Sequence, residues 1–124
     1  MAQVAVQVVE GKVRYNGRTL AEWVPEVIAD VVAACDPLQI ILFGSVARGD
    51  DGPDSDIDLL VVLTQVDKAT RHKLMGRIRF SIGAPVPIDV FVTDPQEIAQ
   101  RRDVIGSMLC WPMREGRIVY DRAV

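Results

Sequence analysis

The sequence predicts an α/β domain in which helices pack on a central β-sheet. Three short apolar runs, at 40–43, 57–63 and 86–92, have the length and composition of buried strands. Two stretches have apolar residues that recur at helical spacing: 20–35, before the first run, and 68–82, between the second and the third. Because helices and strands alternate over most of the chain, we expect a layered α/β sandwich.

The N-terminal residues predict a β-hairpin that precedes this sandwich. Alternating valines begin at Val4, a turn follows at Glu10-Gly11, and residues 12–15 return. We therefore divide the chain into a hairpin extension, 1–17, and a main domain, 18–124. The hairpin could extend the sheet, cover one of its edges or pair two chains, so a homo-oligomer stays open.

The first helix has two possible starting points. Thr19 and Glu22 have the spacing of a capping box, which predicts a start immediately after Thr19. Pro25 favours a start near residue 25 or a kinked first turn, because proline lacks an N–H and crowds the preceding turn. Asp36-Pro37 ends the helix in either case.

A loop separates the first two predicted strands. Residues 49–55 read Gly-Asp-Asp-Gly-Pro-Asp-Ser, which is a run of turn-forming residues. We expect its three aspartates, Asp50, Asp51 and Asp54, to stay in solvent.

Helices and one strand complete the chain. The helix at 68–82 carries basic residues on a face that we assign to solvent, and it ends at Gly83. Asp94-Pro95 opens another helix in the order of cap and then proline. A last helix near 107–115 precedes a final strand at 117–120.

Two carboxylates stand at the start of the second apolar strand. Asp56 and Asp58 are two residues apart, so both side chains leave the same face, about 7 Å apart along the backbone. Two like charges beside the apolar run 59–63 repel each other and lose hydration, at a cost of several kcal/mol. A divalent cation removes this conflict, and oxygen ligands suit Mg²⁺ or Mn²⁺.

Asp89 interrupts the third apolar strand in the same way. One interpretation is a charge on an edge strand. The other is that this strand neighbours the one that follows Asp56, so that three carboxylates converge. Three carboxylates can hold two metal ions about 3.5–4 Å apart, which is the arrangement for in-line phosphoryl chemistry.

Gly44, Ser45 and Arg48 are candidates for binding phosphate. Gly44 ends the first strand and lets the backbone approach a ligand closely. Ser45 can cap the short segment 46–48 and offer its hydroxyl to phosphate. Arg48 either adds a fixed positive charge to this site or pairs with an aspartate of the loop, Asp50 or Asp51.

These motifs together resemble a known family. The string Gly-Ser-Val-Ala-Arg-Gly at 44–49, followed by Ser-Asp-Ile-Asp-Leu at 55–59, is similar to the minimal nucleotidyltransferase (MNT) domains of the DNA polymerase β-like nucleotidyltransferase superfamily. Residues 114–120 resemble the way these domains end. The resemblance covers roughly residues 20–122 and implies a mixed central sheet with helices packed on it.

The resemblance also implies an activity. Members transfer a nucleoside monophosphate, usually AMP from ATP, and pyrophosphate leaves. By analogy Asp56 and Asp58 bridge two Mg²⁺ ions, and Asp89 binds the catalytic ion and helps to activate the acceptor hydroxyl. Gly44 and Ser45 would hold the β- and γ-phosphates. Such domains are antitoxins paired with HEPN-domain toxins, which accept AMP on a tyrosine hydroxyl.

Composition narrows the choice of partners. The net charge of −3 argues against a nucleic acid duplex as the primary partner. No apolar run approaches the ~20 residues that a membrane span needs, and the N-terminus lacks the features of a signal peptide, so we expect a cytoplasmic protein. Trp23 and Trp111 are expected to pack inside the protein rather than stack on a base.

Two rival functions remain. The chain could be an antitoxin that binds its partner without catalysis. It could instead modify a small molecule such as an aminoglycoside, although similar enzymes usually carry a further helical domain for that acceptor and this chain ends soon after its last strand. The sequence leaves the nucleotide base and the acceptor open.

Overall fold

The N-terminal segment forms a small antiparallel sheet of its own. The computed structural model describes residues 4–124, so the first three residues of the predicted hairpin extension lie outside the described residues. Its strands follow one another in space as they do along the chain: β1 (Val6–Val9), β2 (Lys12–Tyr15) and β3 (Arg18–Thr19). The predicted Glu10-Gly11 turn is present.

A second, four-stranded sheet forms the centre of the protein. Its strands are β4 (Gln39–Phe43), β5 (Ile57–Val62), β6 (Ile88–Thr93) and β7 (Arg117–Asp121). They lie in the order β6-β5-β4-β7, with β5 and β6 parallel and the other two pairs antiparallel. The sheet is therefore mixed, as the sequence resemblance implied.

Five helices accompany the strands within residues 4–124. They are α1 (Leu20–Cys35), α2 (Gly44–Arg48), α3 (Arg71–Ser81), α4 (Pro95–Arg101) and α5 (Cys110–Glu115). Helix α3 begins three residues later than predicted, because Asp67 organises the preceding residues into a turn. Its carboxylate accepts from the backbone N–H of Ala69, and its carbonyl accepts from that of Thr70. Among residues 4–124, no helix is long and apolar enough to cross a membrane.

The start of α1 is set by its capping box. The Thr19 hydroxyl accepts from the backbone N–H of Glu22 at 3.3 Å, and the Glu22 carboxylate accepts from the backbone N–H of Thr19 at 3.0 Å. Pro25 lies inside the helix, so the alternative start near residue 25 is wrong. Pro25 has no N–H to donate to the carbonyl of Ala21, four residues earlier. Because both residues are exposed, that carbonyl faces water.

Helices cover both faces of the central sheet. On the first face, which we call the α1 face, alternate strand residues such as Leu42, Leu59 and Val61 are buried against α1 and α3. On the opposite face, which we call the α5 face, Ile41, Leu60 and Val62 are buried with residues of α4 and α5. The buried apolar strands therefore have the double cover that the sequence predicted.

The N-terminal sheet is attached to the loop at 49–55. The ammonium group of Lys12 donates to a carboxylate oxygen of Asp51 at 2.8 Å and to the carbonyl of Gly49 at 3.2 Å. The Asp51 side chain is only 2% exposed, so the expectation that it stays in solvent is wrong. The reason is that a lysine 39 residues earlier pairs with it, whereas Asp50 and Asp54 are exposed as expected.

Candidate active site

Three carboxylates meet at one end of the central sheet. Strands β5 and β6 are parallel neighbours whose register places Asp58 opposite Asp89, and Asp56 immediately precedes β5. One carboxylate oxygen from each residue lies within 4.8 Å of the other two. Strand β6 is indeed an edge strand and Asp89 is exposed, but its carboxylate faces the other two rather than standing alone.

The alternation of side chains along each strand explains this meeting. Asp58 is on the same side of β5 as Leu60, and Asp89 is on the same side of β6 as Phe91. Leu60 and Phe91 both belong to the α5 face. The carboxylates therefore stand on the α5 face, at the starts of two neighbouring strands.

The close approach of these groups changes their acidity. Burial raises the pKa of Asp58 to about 7, with further contributions from the charge of Asp56 and a hydrogen bond to it. The pKa of Asp89 is also raised, first by its hydrogen bond with Asp56 and then by burial. The positive charge of Arg48 opposes the increase in the pKa of Asp58, and that of Arg79 opposes the increase in the pKa of Asp89. Near neutral pH the cluster therefore retains a proton when no cation is bound.

The cluster fits a hard divalent cation. Carboxylate oxygens are ligands that Mg²⁺ and Mn²⁺ prefer, and three of them converge here. The raised pKa values of Asp58 and Asp89 show that these two carboxylates face too little positive charge in the protein alone. A bound cation would supply that charge, polarise phosphate oxygens and make a nearby hydroxyl more acidic.

Gly44 packs directly against the carboxylates. Strand β4 ends at Phe43, which pairs with Asp58, and Gly44 follows with a φ of +78°. A Cβ atom on Gly44 would overlap a carboxylate oxygen of Asp58. Both the backbone conformation and the space therefore require glycine at this position.

Ser45 lies in the first turn of α2. The capping position of this helix is Phe43, and no side chain caps it, so the expectation that Ser45 caps the segment is wrong. Helix α2 spans Gly44–Arg48, so Ser45 lies within it instead of before it. The residue still adjoins Gly44 at the edge of the carboxylate cluster.

Arg48 connects the cluster to its surroundings. Its guanidinium donates to Asp50 at 3.2 Å and lies 3.7 Å from a carboxylate oxygen of Glu115 in α5. The side chain is about half exposed, so these contacts are open to solvent and to exchange with another anion. Its positive charge acts to lower the pKa of Asp58.

Arg79 is a site residue that the sequence analysis missed. We assigned the basic residues of the helix at 68–82 to solvent. Arg79 instead donates to the backbone carbonyls of Ile88, the first residue of β6, and of Val86, just before it, at 3.2 and 3.4 Å. Helical periodicity could have shown this, because Arg79 shares a face with Met75 and Ile82.

The two tryptophans have different environments. Trp23 is buried, donates to the carbonyl of Tyr15 and carries the Arg18 guanidinium 3.7 Å from its ring centroid. It packs as predicted. Trp111 is 61% exposed, so the expectation that it packs inside the protein is wrong. It lies beside Phe43 and Gly44.

Comparison with known proteins identifies the class. Residues 26–118 match the family model described as "Nucleotidyltransferase domain". The chain therefore belongs to the nucleotidyltransferase domain family, and the sequence-based assignment to nucleotidyltransferases is confirmed at this level. A structure of a "putative nucleotidyltransferase" from Sulfolobus solfataricus superposes with a TM-score of 0.59 at 22% identity, over 84% of this chain and 82% of that one. This confirms the predicted fold.

Two further proteins are similar to this chain over a smaller part of its length. A Methanocaldococcus jannaschii protein named "putative protein adenylyltransferase" is 33% identical over 91 residues, or 70% of this chain. The chain spans 60% of the length of that relative. A chain in the crystal structure of a toxin–antitoxin with AMP-PNP superposes with a TM-score of 0.49 at 23% identity, over 78% of this chain and 72% of that one.

Proposed function

We propose that this protein transfers AMP from ATP, in the presence of Mg²⁺, to a hydroxyl group of a partner protein. The observation that carries this proposal is the convergence of Asp56, Asp58 and Asp89 beside Gly44. Family membership supports nucleotidyl transfer. The name of the archaeal relative supports a protein as the acceptor.

Each group has a role in this reaction. Asp56, Asp58 and Asp89 would hold two Mg²⁺ ions, which would supply positive charge to the phosphates. Gly44, Ser45 and Arg48 would hold the β- and γ-phosphates, because glycine permits close approach and arginine supplies positive charge.

The chemical step breaks one phosphoanhydride bond and forms one phosphoester bond. The acceptor oxygen attacks the α-phosphorus, the bond to the bridging oxygen breaks, and pyrophosphate leaves. The acceptor proton passes to Asp89, which is the exposed member of the cluster and so can meet a hydroxyl that arrives from solvent.

A HEPN-domain toxin is the partner that we propose, with a tyrosine hydroxyl as acceptor. This choice follows from the resemblance of residues 44–49 and 55–59 to antitoxin domains. Attachment of AMP would silence the toxin. The reaction would take place in the cytoplasm, where ATP and such a toxin are both available.

The test measures transfer of label from α-labelled ATP to the protein encoded by the neighbouring gene. We expect labelling with Mg²⁺ and its loss in Asp58→Ala. Asp54→Ala is a matched control, because Asp54 is an exposed aspartate of the adjacent loop. Label that never reaches the partner, or an Asp58→Ala variant as active as the wild type, would refute the proposal.

A binding antitoxin is the second candidate. Strand β1 exposes Val6 and Val8, at 57% and 61%, and one of its edges is free in the described sheet, so it offers an apolar strand to a partner. This function predicts that the double variant Asp56→Ala/Asp58→Ala still protects cells from the toxin. Loss of protection while the complex still forms would exclude it.

A further inference from the structure

A cleft of about 310 Å³ adjoins the carboxylate cluster. Its lining residues are Phe43, Gly44, Arg48, Trp111 and Glu115. Gly44 connects the cleft with the carboxylate cluster, because it lines the cleft and also packs against Asp58. A molecule with phosphates at Gly44 and Arg48 could therefore continue into this cleft.

The cleft and the carboxylates also share the α5 face of the sheet. Phe43 packs in the apolar cluster of that face, and its ring centroid lies 5.9 Å from that of Phe91, two residues beyond Asp89. Helix α5 contacts β4 on the same side. The α5 residues that line the cleft are Trp111 and Glu115, so an aromatic ring stands next to the site instead of on the far side of the sheet.

The indole of Trp111 is held outward at a fixed position. Its neighbours along the chain, Cys110 and Pro112, are both buried and fix this turn of α5 against the protein. The indole between them is 61% exposed. A large apolar ring held at a fixed place, beside a cleft and largely in water, is typical of a ligand contact.

We propose that Trp111 is the stacking platform for the base of the nucleotide. This inference rests on the proposed function, because it takes the triphosphate to lie at Gly44 and Arg48. The indole face stacks on any base, so it provides affinity for the nucleoside end without selecting one base. Trp111 is then a positioning residue, which holds the nucleoside while the α-phosphate meets the acceptor.

The experiment compares ATP with inorganic tripolyphosphate, which has the three phosphates and no nucleoside. Binding of each to the intact protein is measured by calorimetry with Mg²⁺. We expect Trp111→Ala to weaken ATP binding about tenfold and to leave tripolyphosphate binding unchanged. Trp111→Phe keeps an aromatic face and should recover most of the ATP affinity.

Fluorescence gives a second and direct measurement. In a Trp23→Phe background, Trp111 is the single tryptophan of the chain. ATP should quench its emission because the base stacks on the indole, whereas tripolyphosphate should leave the emission unchanged. Thermal melting of Trp111→Ala shows whether the exposed ring contributes to folding, and we expect no change.

The outcomes separate this inference from the proposed function. If the wild type binds both ligands and Trp111→Ala binds ATP equally well, the platform is refuted while the phosphate and metal site stands. The platform is also refuted if Trp111→Ala loses affinity for ATP and for tripolyphosphate to the same extent. If the wild type binds neither ligand, the proposed function fails and the platform with it.

Discussion

Replacement of Asp58 by asparagine should stabilise the protein when no metal is bound. The carboxylate has a pKa of about 7 in the folded protein, against an ordinary value of 3.8, so the folded state holds its proton more tightly than the unfolded chain. Ionisation therefore costs stability progressively between these two pH values, and the whole cost is present above pH 7. Asparagine keeps the shape and never ionises.

The size of the stabilisation by Asp58→Asn follows from the pKa shift of Asp58. Each pKa unit corresponds to about 1.4 kcal/mol, so the full difference would be about 4 kcal/mol. Asp58 is only partly buried, and screening by solvent reduces this to roughly 1–2 kcal/mol. For a domain of this length, that is an increase in melting temperature of about 4–8 °C.

The assay is thermal unfolding between pH 4 and pH 8.5 in EDTA. The melting temperature of Asp58→Asn should exceed that of the wild type above pH 7, and the difference should vanish near pH 4. Mg²⁺ should then stabilise the wild type more than the variant, because a ligand that binds the folded state raises its stability. Asp54→Asn serves as control, since Asp54 is exposed and outside the cluster.

Two results would refute this reasoning. The variant could melt at or below the wild-type temperature at pH 8 in EDTA, which would mean that the three carboxylates do not strain the fold. Mg²⁺ could stabilise both proteins equally, which would mean that the ion binds elsewhere.

Three further substitutions test other parts of the structure. Gly44→Ala should lose ATP binding and about 2 kcal/mol of stability, because a Cβ overlaps Asp58 at a φ of +78°; unchanged nucleotide affinity in calorimetry would contradict this. Lys12→Ala should cost roughly 1–2 kcal/mol in urea unfolding by leaving Asp51 buried and unpaired, and Asp51→Asn in the same background should recover part of it. Thr19→Ala removes the cap of α1 and should cost about 1 kcal/mol, whereas the conservative Thr19→Ser should retain most of the stability.

The sequence was sufficient for the features that repeat or alternate along the chain. Apolar runs predicted the three buried strands, and the period-two pattern placed Asp56 and Asp58 on one face. The sequence predicted that Asp89 approaches Asp56 and Asp58 only if its strand neighbours theirs. A single sequence does not reveal which strands are neighbours. Parallel pairing of β5 and β6 supplied that missing fact.

The errors share a physical origin in contacts between distant residues. Asp51 looked like a solvated loop residue, and its partner Lys12 belongs to a separate sheet. The starting point of α1 was ambiguous because local propensity does not show whether Pro25 faces solvent. Trp111 was assigned to the interior from its residue type, whereas the burial of its two neighbours turns it outward.

The pairing of β4 with β5 has a consequence for how freely the chain can be engineered. Because Phe43 lies opposite Asp58, the strand register alone brings Gly44 to the carboxylates, and the number of residues that bridge the two strands is a secondary matter. Pro53 and Asp54 form an exposed tip of that bridge. A peptide tag or a reporter module grafted there should leave the reacting groups in place, provided that Asp51 keeps its bond to Lys12.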